Sequence, residues 1–237
     1  MSKNAQGYMG IQIGKLGPAV GSMWKGRNVY RGYNPFVKNP KTEKQVLQRS
    51  QFSLMNKLAR ALSPAINLGF SYKAKAERTT ERGLFYKANH GIVQGTSPDE
   101  LSISLDDNLV LAEGPLTNVV FGSPSFDASS HIISVPFSDS GMGCARPDDQ
   151  ILVFAALADE VSLDNVGHLF LLRGSAVRSD LESIEIPVPE AVSGTTVALY
   201  GFARTTVQEA TYIEDYSGFV YPNMTSPSSF IGTLPLQ

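Results

Sequence analysis

Cysteine is nearly missing from this 237-residue chain, where Cys144 stands alone. A disulfide framework within the chain and a zinc site built on several cysteines are therefore excluded, and a single thiol suits assembly in a reducing cytoplasm. Histidine is scarce as well. His90, His131 and His168 fall at a predicted helix end and on two predicted strands, without the H-x-x-x-H spacing that places two ligands on one helix face. No apolar run approaches the roughly 18 residues that a membrane span needs. The start, Met1 to Gly7, lacks the apolar core of a signal peptide, so secretion by the general route is not expected. Neither a G-x-S-x-G elbow nor a Walker sequence occurs. Gly141-Met142-Gly143 is a lone G-x-G with no strand-to-helix context, and Cys144 beside it reads as a bystander thiol near Arg146. Asp106-Asp107 and Asp148-Asp149 are paired acids that read as turn residues before they read as a catalytic dyad. The expectation is a chain with no catalytic residue, no cofactor and no metal.

The other scarcity is negative charge near the front. Residues 1–90 hold 16 Lys and Arg against Glu43, Glu77 and Glu81, a net of +13. Residues 91–237 hold four Arg against 19 acids, a net of −15, so a total of −2 hides two strongly charged parts. Such asymmetry marks a basic arm, for nucleic acid or for an acidic protein surface. Here the acidic surface belongs to the same chain. What is plentiful is ordinary: 42% hydrophobic residues, 21 Gly and 14 Pro suit a loop-rich β protein with a sizeable core.

Between Gly14 and Phe36 apolar and polar residues alternate across Val20, Ser22, Trp24 and again across Asn28, Tyr30, Gly32. Lys25-Gly26-Arg27 between them reads as a hairpin turn, which would let Trp24 and Tyr30 face one another. Thr42 is a good helix N-cap and Gln45 completes a capping box. Leu47, Leu54, Leu58, Ala61 and Leu62 then fall on one helical stripe, with Arg49, Ser53, Asn56 and Arg60 on the opposite one. Pro64 predicts a helix end near Leu62. A second helix is expected over 80–89, ending near Gly91.

After about Ser97 the pattern changes to short alternating runs. They include "LSISL" (101–105), "NLVLA" (108–112), "NVVFGSPSF" (118–126), "HIISVPF" (131–137), "QILVFAAL" (150–157), "HLFLLRG" (168–174), "IEIPVP" (184–189), "TVALYGFART" (196–205) and "TYIEDYSGFVY" (211–221). Strands at this spacing predict a mainly β protein with a small α part. The layout expected is a basic N-terminal β-hairpin with amphipathic helices (1–97), an immunoglobulin-like antiparallel β sandwich (98–224), and an extended C-terminal tail (225–237). Pro136, Pro187 and Pro189 suggest edge strands or bulges.

A resemblance rests on two motifs. Gly14, Lys15, Gly17, Val20, Gly21, Trp24, Lys25 and Gly26 form a "GK-x-G-x-x-V-G-x-x-W-K-G" start, and Pro40, Thr42, Gln45, Arg49 and Phe52 form a "P-x-T-x-x-Q-x-x-x-R-x-x-F" segment. Over about the first 75 residues this resembles the opening of an uncharacterised family of bacteria and their bacteriophages, and a looser form resembles the start of proteins read as virion components. The resemblance transfers no catalytic residue. It implies a non-enzymatic structural component of a virion head, neck or tail, assembled in the host cytoplasm, whose partners are further copies of itself and other virion proteins. The expected assembly interface is Trp24, Lys25, Arg27, Tyr30, Arg31, Lys44, Arg49, Lys57 and Arg60. Two alternatives stay open. One is nucleic-acid binding through the cations of this segment with Trp24, Tyr30, Tyr33 and Phe36 as stacking rings. The other is a carbohydrate-binding or adhesin module using Tyr200, Tyr212, Tyr216 and Tyr221.

Overall fold

The computed structural model describes residues 3–4, 12–36, 39–139, 143–157, 160–166, 169–180, 183–190, 195–213 and 218–236. The chain divides into two compact units, residues 1–45 and 46–237. The boundary expected near residue 97 is thus corrected: the helices share a unit with the strands that follow, because their apolar stripes pack on those strands.

The first unit is a four-stranded antiparallel meander, β1 (Lys3–Asn4), β2 (Gln12–Leu16), β3 (Ala19–Trp24) and β4 (Arg27–Gly32), in that spatial order. Lys25 and Gly26 both have positive φ, 45° and 76°, which is the two-residue turn that matches strand twist. With Arg27 already in β4, the register pairs Trp24 with Arg27 and Tyr30 with Gly21. Trp24 and Tyr30 therefore lie on opposite faces, correcting the expected pairing. One face carries Lys15, Val20, Ser22 and Trp24 with Arg27, Val29 and Arg31; the other carries Leu16, Ala19, Gly21 and Met23 with Asn28, Tyr30 and Gly32. Gly21 is closely covered: a Cβ there would lie 2.3 Å from the Gln12 carbonyl oxygen and 3.1 Å from the Tyr30 ring.

Four helices follow, of which the first begins at the end of the first unit and runs into the second. In α1 (Glu43–Ala61), Leu54, Met55, Leu58 and Ala59 are buried, and Leu62 and the half-buried Leu47 extend the stripe. The side-chain oxygen of Gln45 is buried with no hydrogen bond, so the reciprocal half of the expected capping box is not made. Pro64 ends α1 as expected but sits in the first turn of α2 (Ser63–Gly69), where a missing N–H costs nothing. Next come α3 (Ser71–Ala76) and α4 (Glu81–Ala88), the latter capped by Thr80, whose hydroxyl accepts from the Gly83 N–H at 3.0 Å.

The strands that follow are β5 (Ser102–Ser104), β6 (Val120–Phe121), β7 (Ser125–Asp127), β8 (Ile132–Ser138), β9 (Gln150–Leu157), β10 (Glu160–Ser162), β11 (Phe170–Val177) and β12 (Ser183–Pro187). The last four are β13 (Thr196–Arg204), β14 (Thr211–Ile213), β15 (Gly218–Val220) and β16 (Ser229–Pro235). One antiparallel sheet has the order β11-β9-β13-β16, and a second has β12-β8-β6 with β7 also on β8. The protein is mainly β, as the sequence predicts.

β9 and β13 read as near-continuous apolar runs because both of their faces are covered. Ile151, Val153, Ala155 and Leu157 of β9, with Val197, Leu199 and Ala203 of β13, pack on Ile133, Val135 and Phe137 of β8 and Ile184 and Ile186 of β12. The alternate residues, Leu152, Phe154 and Ala156 with Ala198, Tyr200 and Phe202, pack on α1, α2 and α4. The body is therefore three layers deep: helices, central sheet, second sheet.

Two segments differ from expectation. Residues 108–112 form no strand, because side chains rather than another strand satisfy their backbone. The Asn89 amide donates to the Val110 carbonyl and its oxygen accepts the Val110 N–H, both at 2.8 Å, while the Leu111 N–H donates to the Ser228 hydroxyl. The expected tail is also no tail. β16 pairs along β13, Leu236 is buried, and the Thr225 and Ser226 side chains engage the Gly69 carbonyl and the Ala203 N–H. Its polar residues are internal brackets.

Candidate assembly surface

Among its described residues the first unit has a sheet but no buried apolar side chain. Among the described residues, every buried apolar side chain lies between Leu54 and Leu236, and in the meander only Gly21 is buried. Trp24 is 45% exposed, Tyr30 50% and Phe36 85%, with Ile13, Leu16, Met23, Val29 and Tyr33 exposed as well. Covering apolar surface is favourable in proportion to its area, so a small sheet with apolar groups open on both faces gains strongly from a partner. Cations are interleaved among these groups. The Lys15 ammonium sits 3.9 Å from the centroid of the Tyr33 ring, and Arg27 and Arg31 flank Val29 on one face.

The expected interface residues separate between the units. Trp24, Lys25, Arg27, Tyr30 and Arg31 belong to the meander and are exposed; Tyr30 is on the face opposite Trp24, Arg27 and Arg31. Lys44 is exposed in the first turn of α1 at the end of the first unit. Arg49, Lys57 and Arg60 are exposed on α1 within the body, where the Lys57 ammonium donates to the Leu163 carbonyl at 3.1 Å. Counted by these units, residues 1–45 hold eight Lys and Arg against Glu43, a net of +7, and residues 46–237 hold 12 against 21, a net of −9. The contrast found in the sequence persists at the true boundary.

The body adds an exposed aromatic strip that the charge pattern did not reveal. On the β14–β15 hairpin Tyr212 and Phe219 are paired, with ring centroids 5.2 Å apart. Phe219 lies 6.3 Å from Tyr221, and Tyr221 lies 6.3 Å from Tyr72 of α3. Alternation explains the arrangement: Val220, facing inward, is fully buried in the core, so its neighbours Phe219 and Tyr221 face outward. The tyrosines named from the sequence thus part company. Tyr212 and Tyr221 are exposed, Tyr200 is buried with its hydroxyl donating to the Asp106 carbonyl at 2.9 Å, and Tyr216 lies outside the described residues.

The paired acids act locally. Asp148 binds Arg146 through two hydrogen bonds, 2.8 and 3.2 Å, and these hold its carboxyl below the usual range. Asp149 is buried, which pushes its carboxyl up despite the Arg146 N–H and Arg178. The Arg178 guanidinium, itself buried, bridges Asp139 at 2.7 Å, Asp149 at 3.6 Å and the Thr117 carbonyl at 2.5 Å. Asp106 accepts from the Asn108 N–H in its turn. The Cys144 thiol is buried and donates to the Pro115 carbonyl at 3.2 Å. Among the described residues no three His, Cys, Asp or Glu come together as metal ligands, and no helix is long and apolar enough to cross a membrane. His168 lies outside the described residues.

Comparison with family models returns one of these, a family of unknown function named DUF6266, over residues 11–213. The chain belongs to DUF6266. The matched region takes in the exposed meander from β2 onward and the body through β14, so the DUF6266 match spans parts of both units and leaves β1, β15 and β16 outside it. No curated protein and no solved structure matches.

Proposed function

We propose that the chain is a non-enzymatic structural component of a bacteriophage virion, assembled in the host cytoplasm, in which the N-terminal meander of one copy docks on the acidic body of the next. The observation that carries this reading is the meander itself: a regular sheet with apolar side chains open on both faces, cations among them, and no buried apolar side chain among its described residues. A small sheet gains independent stability from a covered hydrophobic face, and the meander's apolar groups are open on both faces. Its net +7 meets a body of −9 on every other copy. Each copy offers one donor and one acceptor, a heterologous contact that closes into rings or continues as a filament. Charge complementarity speeds and registers the encounter, and burial of Trp24 and its apolar neighbours supplies most of the affinity. The placement on a virion rests on the two N-terminal motifs alone.

Single exposed ion pairs contribute only about 0–1 kcal/mol, so the test reverses Lys15, Arg27 and Arg31 to Glu together. Light scattering at low and high salt should show large assemblies for the native chain and monomers for the variant. Assembly indifferent to the reversal and to salt would exclude the mechanism. Tight, salt-sensitive binding of duplex DNA by a monomeric native chain would replace it with the nucleic-acid reading.

A further inference from the structure

We propose that the acceptor for the meander is the aromatic strip of the neighbouring copy, Tyr212, Phe219 and Tyr221, which takes the Arg27–Val29–Arg31 face; this rests on the assembly reading above. The strip is built for contact. Tyr212 is 53% exposed, Phe219 52% and Tyr221 45%, although Val220 between them is anchored in the core. Among the described residues the hairpin pairs only within itself as a two-stranded sheet, and its rings stay open to solvent. An exposed phenylalanine flanked by two exposed tyrosines adds nothing to the core beneath.

Chemistry selects the occupant. Aromatic faces attract cations, arginine above all, and the attraction strengthens as water is excluded. The meander already shows this preference in the Lys15–Tyr33 contact. After Arg204 the chain carries no Lys or Arg and three acids, Glu209, Glu214 and Asp215, so the strip belongs to a purely anionic stretch of sequence. Arg27 and Arg31, four residues apart on one strand face, are separated by about 13 Å. Phe219 stands at the corner of the strip, 5.2 Å from Tyr212 across the hairpin and 6.3 Å from Tyr221 along its own strand. The three rings can therefore take one guanidinium stacked on a ring face, with Val29 against Phe219 and the second guanidinium reaching past the strip.

The test compares two variants in the full chain. Replacing Tyr212, Phe219 and Tyr221 by Ser removes the rings, whereas Tyr212→Phe with Tyr221→Phe keeps them. Sedimentation velocity should show self-association weakened by about 30-fold or more in the first, as expected for central aromatic anchors, and unchanged in the second. Trp24, the single tryptophan, should shift its emission to the blue on assembly in the native and ring-keeping chains only. Circular dichroism identical to the native chain establishes that the serine variant is folded; were it unfolded, Phe219→Ser alone gives the same readings with a smaller loss. A serine variant that assembles like the native chain, while the Lys15, Arg27 and Arg31 reversal disperses it, overturns this acceptor and leaves the assembly reading standing. A native chain that stays monomeric overturns both. Binding of a glycan by the strip, lost in the serine variant with assembly intact, assigns the strip to sugar and overturns the proposal.

Discussion

Arg178 shows how a charge earns its place in a core. It is buried to 1% exposure, yet its guanidinium reaches Asp139, Asp149 and the Thr117 carbonyl, joining the end of β8, the turn before β9 and the segment before β6. A buried ion pair is no strong source of net stability, because desolvation offsets the attraction, but removing one partner strands the other. Arg178→Met should therefore destabilise the body by about 3–5 kcal/mol, read as a lower unfolding midpoint in urea. A midpoint within experimental error of the native one would show that the cluster relaxes into solvent. Nothing in the local sequence around Arg178 announces this role. Its partners stand 39 and 29 residues away in the chain, and only the closing of the sandwich brings them together.

Elements with one strong period were legible. The stripe of α1 was, since Leu54, Leu58 and Leu62 recur at helical spacing and all three are fully buried. Leu54→Ala should cost about 2–5 kcal/mol, checked by the same urea midpoint, and a neutral result would mean the site collapses around the smaller side chain. The strands β9 and β13 were equally legible as apolar runs, though not that helices cover one face and a second sheet the other. Elements whose backbone is satisfied by side chains were misread. Residues 108–112 alternate like a strand but are held by Asn89 and Ser228, and the polar C-terminal stretch looked like a tail while pairing as β16. Polarity there serves hydrogen bonds, a use that composition cannot separate from solvent exposure. Of the candidate surface, the cationic meander was visible as charge asymmetry and Tyr212 and Tyr221 as candidate binding aromatics, whereas Phe219 and the clustering of the three rings were not, because they alternate with an inward Val220 in what reads as one β run.

At the scale of the molecule, the two units differ in what holds them. The body has two apolar clusters on either side of its central sheet, whereas the meander has hydrogen bonds and exposed rings. Hydrogen bonds between strands contribute little net stability once competition with water is counted, and apolar burial is the dominant favourable term. Stability should therefore reside in residues 46–237, and assembly in residues 1–45. Removing residues 1–42, which leaves α1 whole, should keep a cooperative unfolding transition with a midpoint within about 1 kcal/mol of the native chain, because surface changes away from a core are small. The same truncated chain should remain monomeric by light scattering at concentrations where the native chain assembles. Loss of cooperative unfolding on truncation would show that the meander completes the core of the body, and the division of labour between the units would then be wrong. Assembly that persists without the meander would place the contact within the body instead.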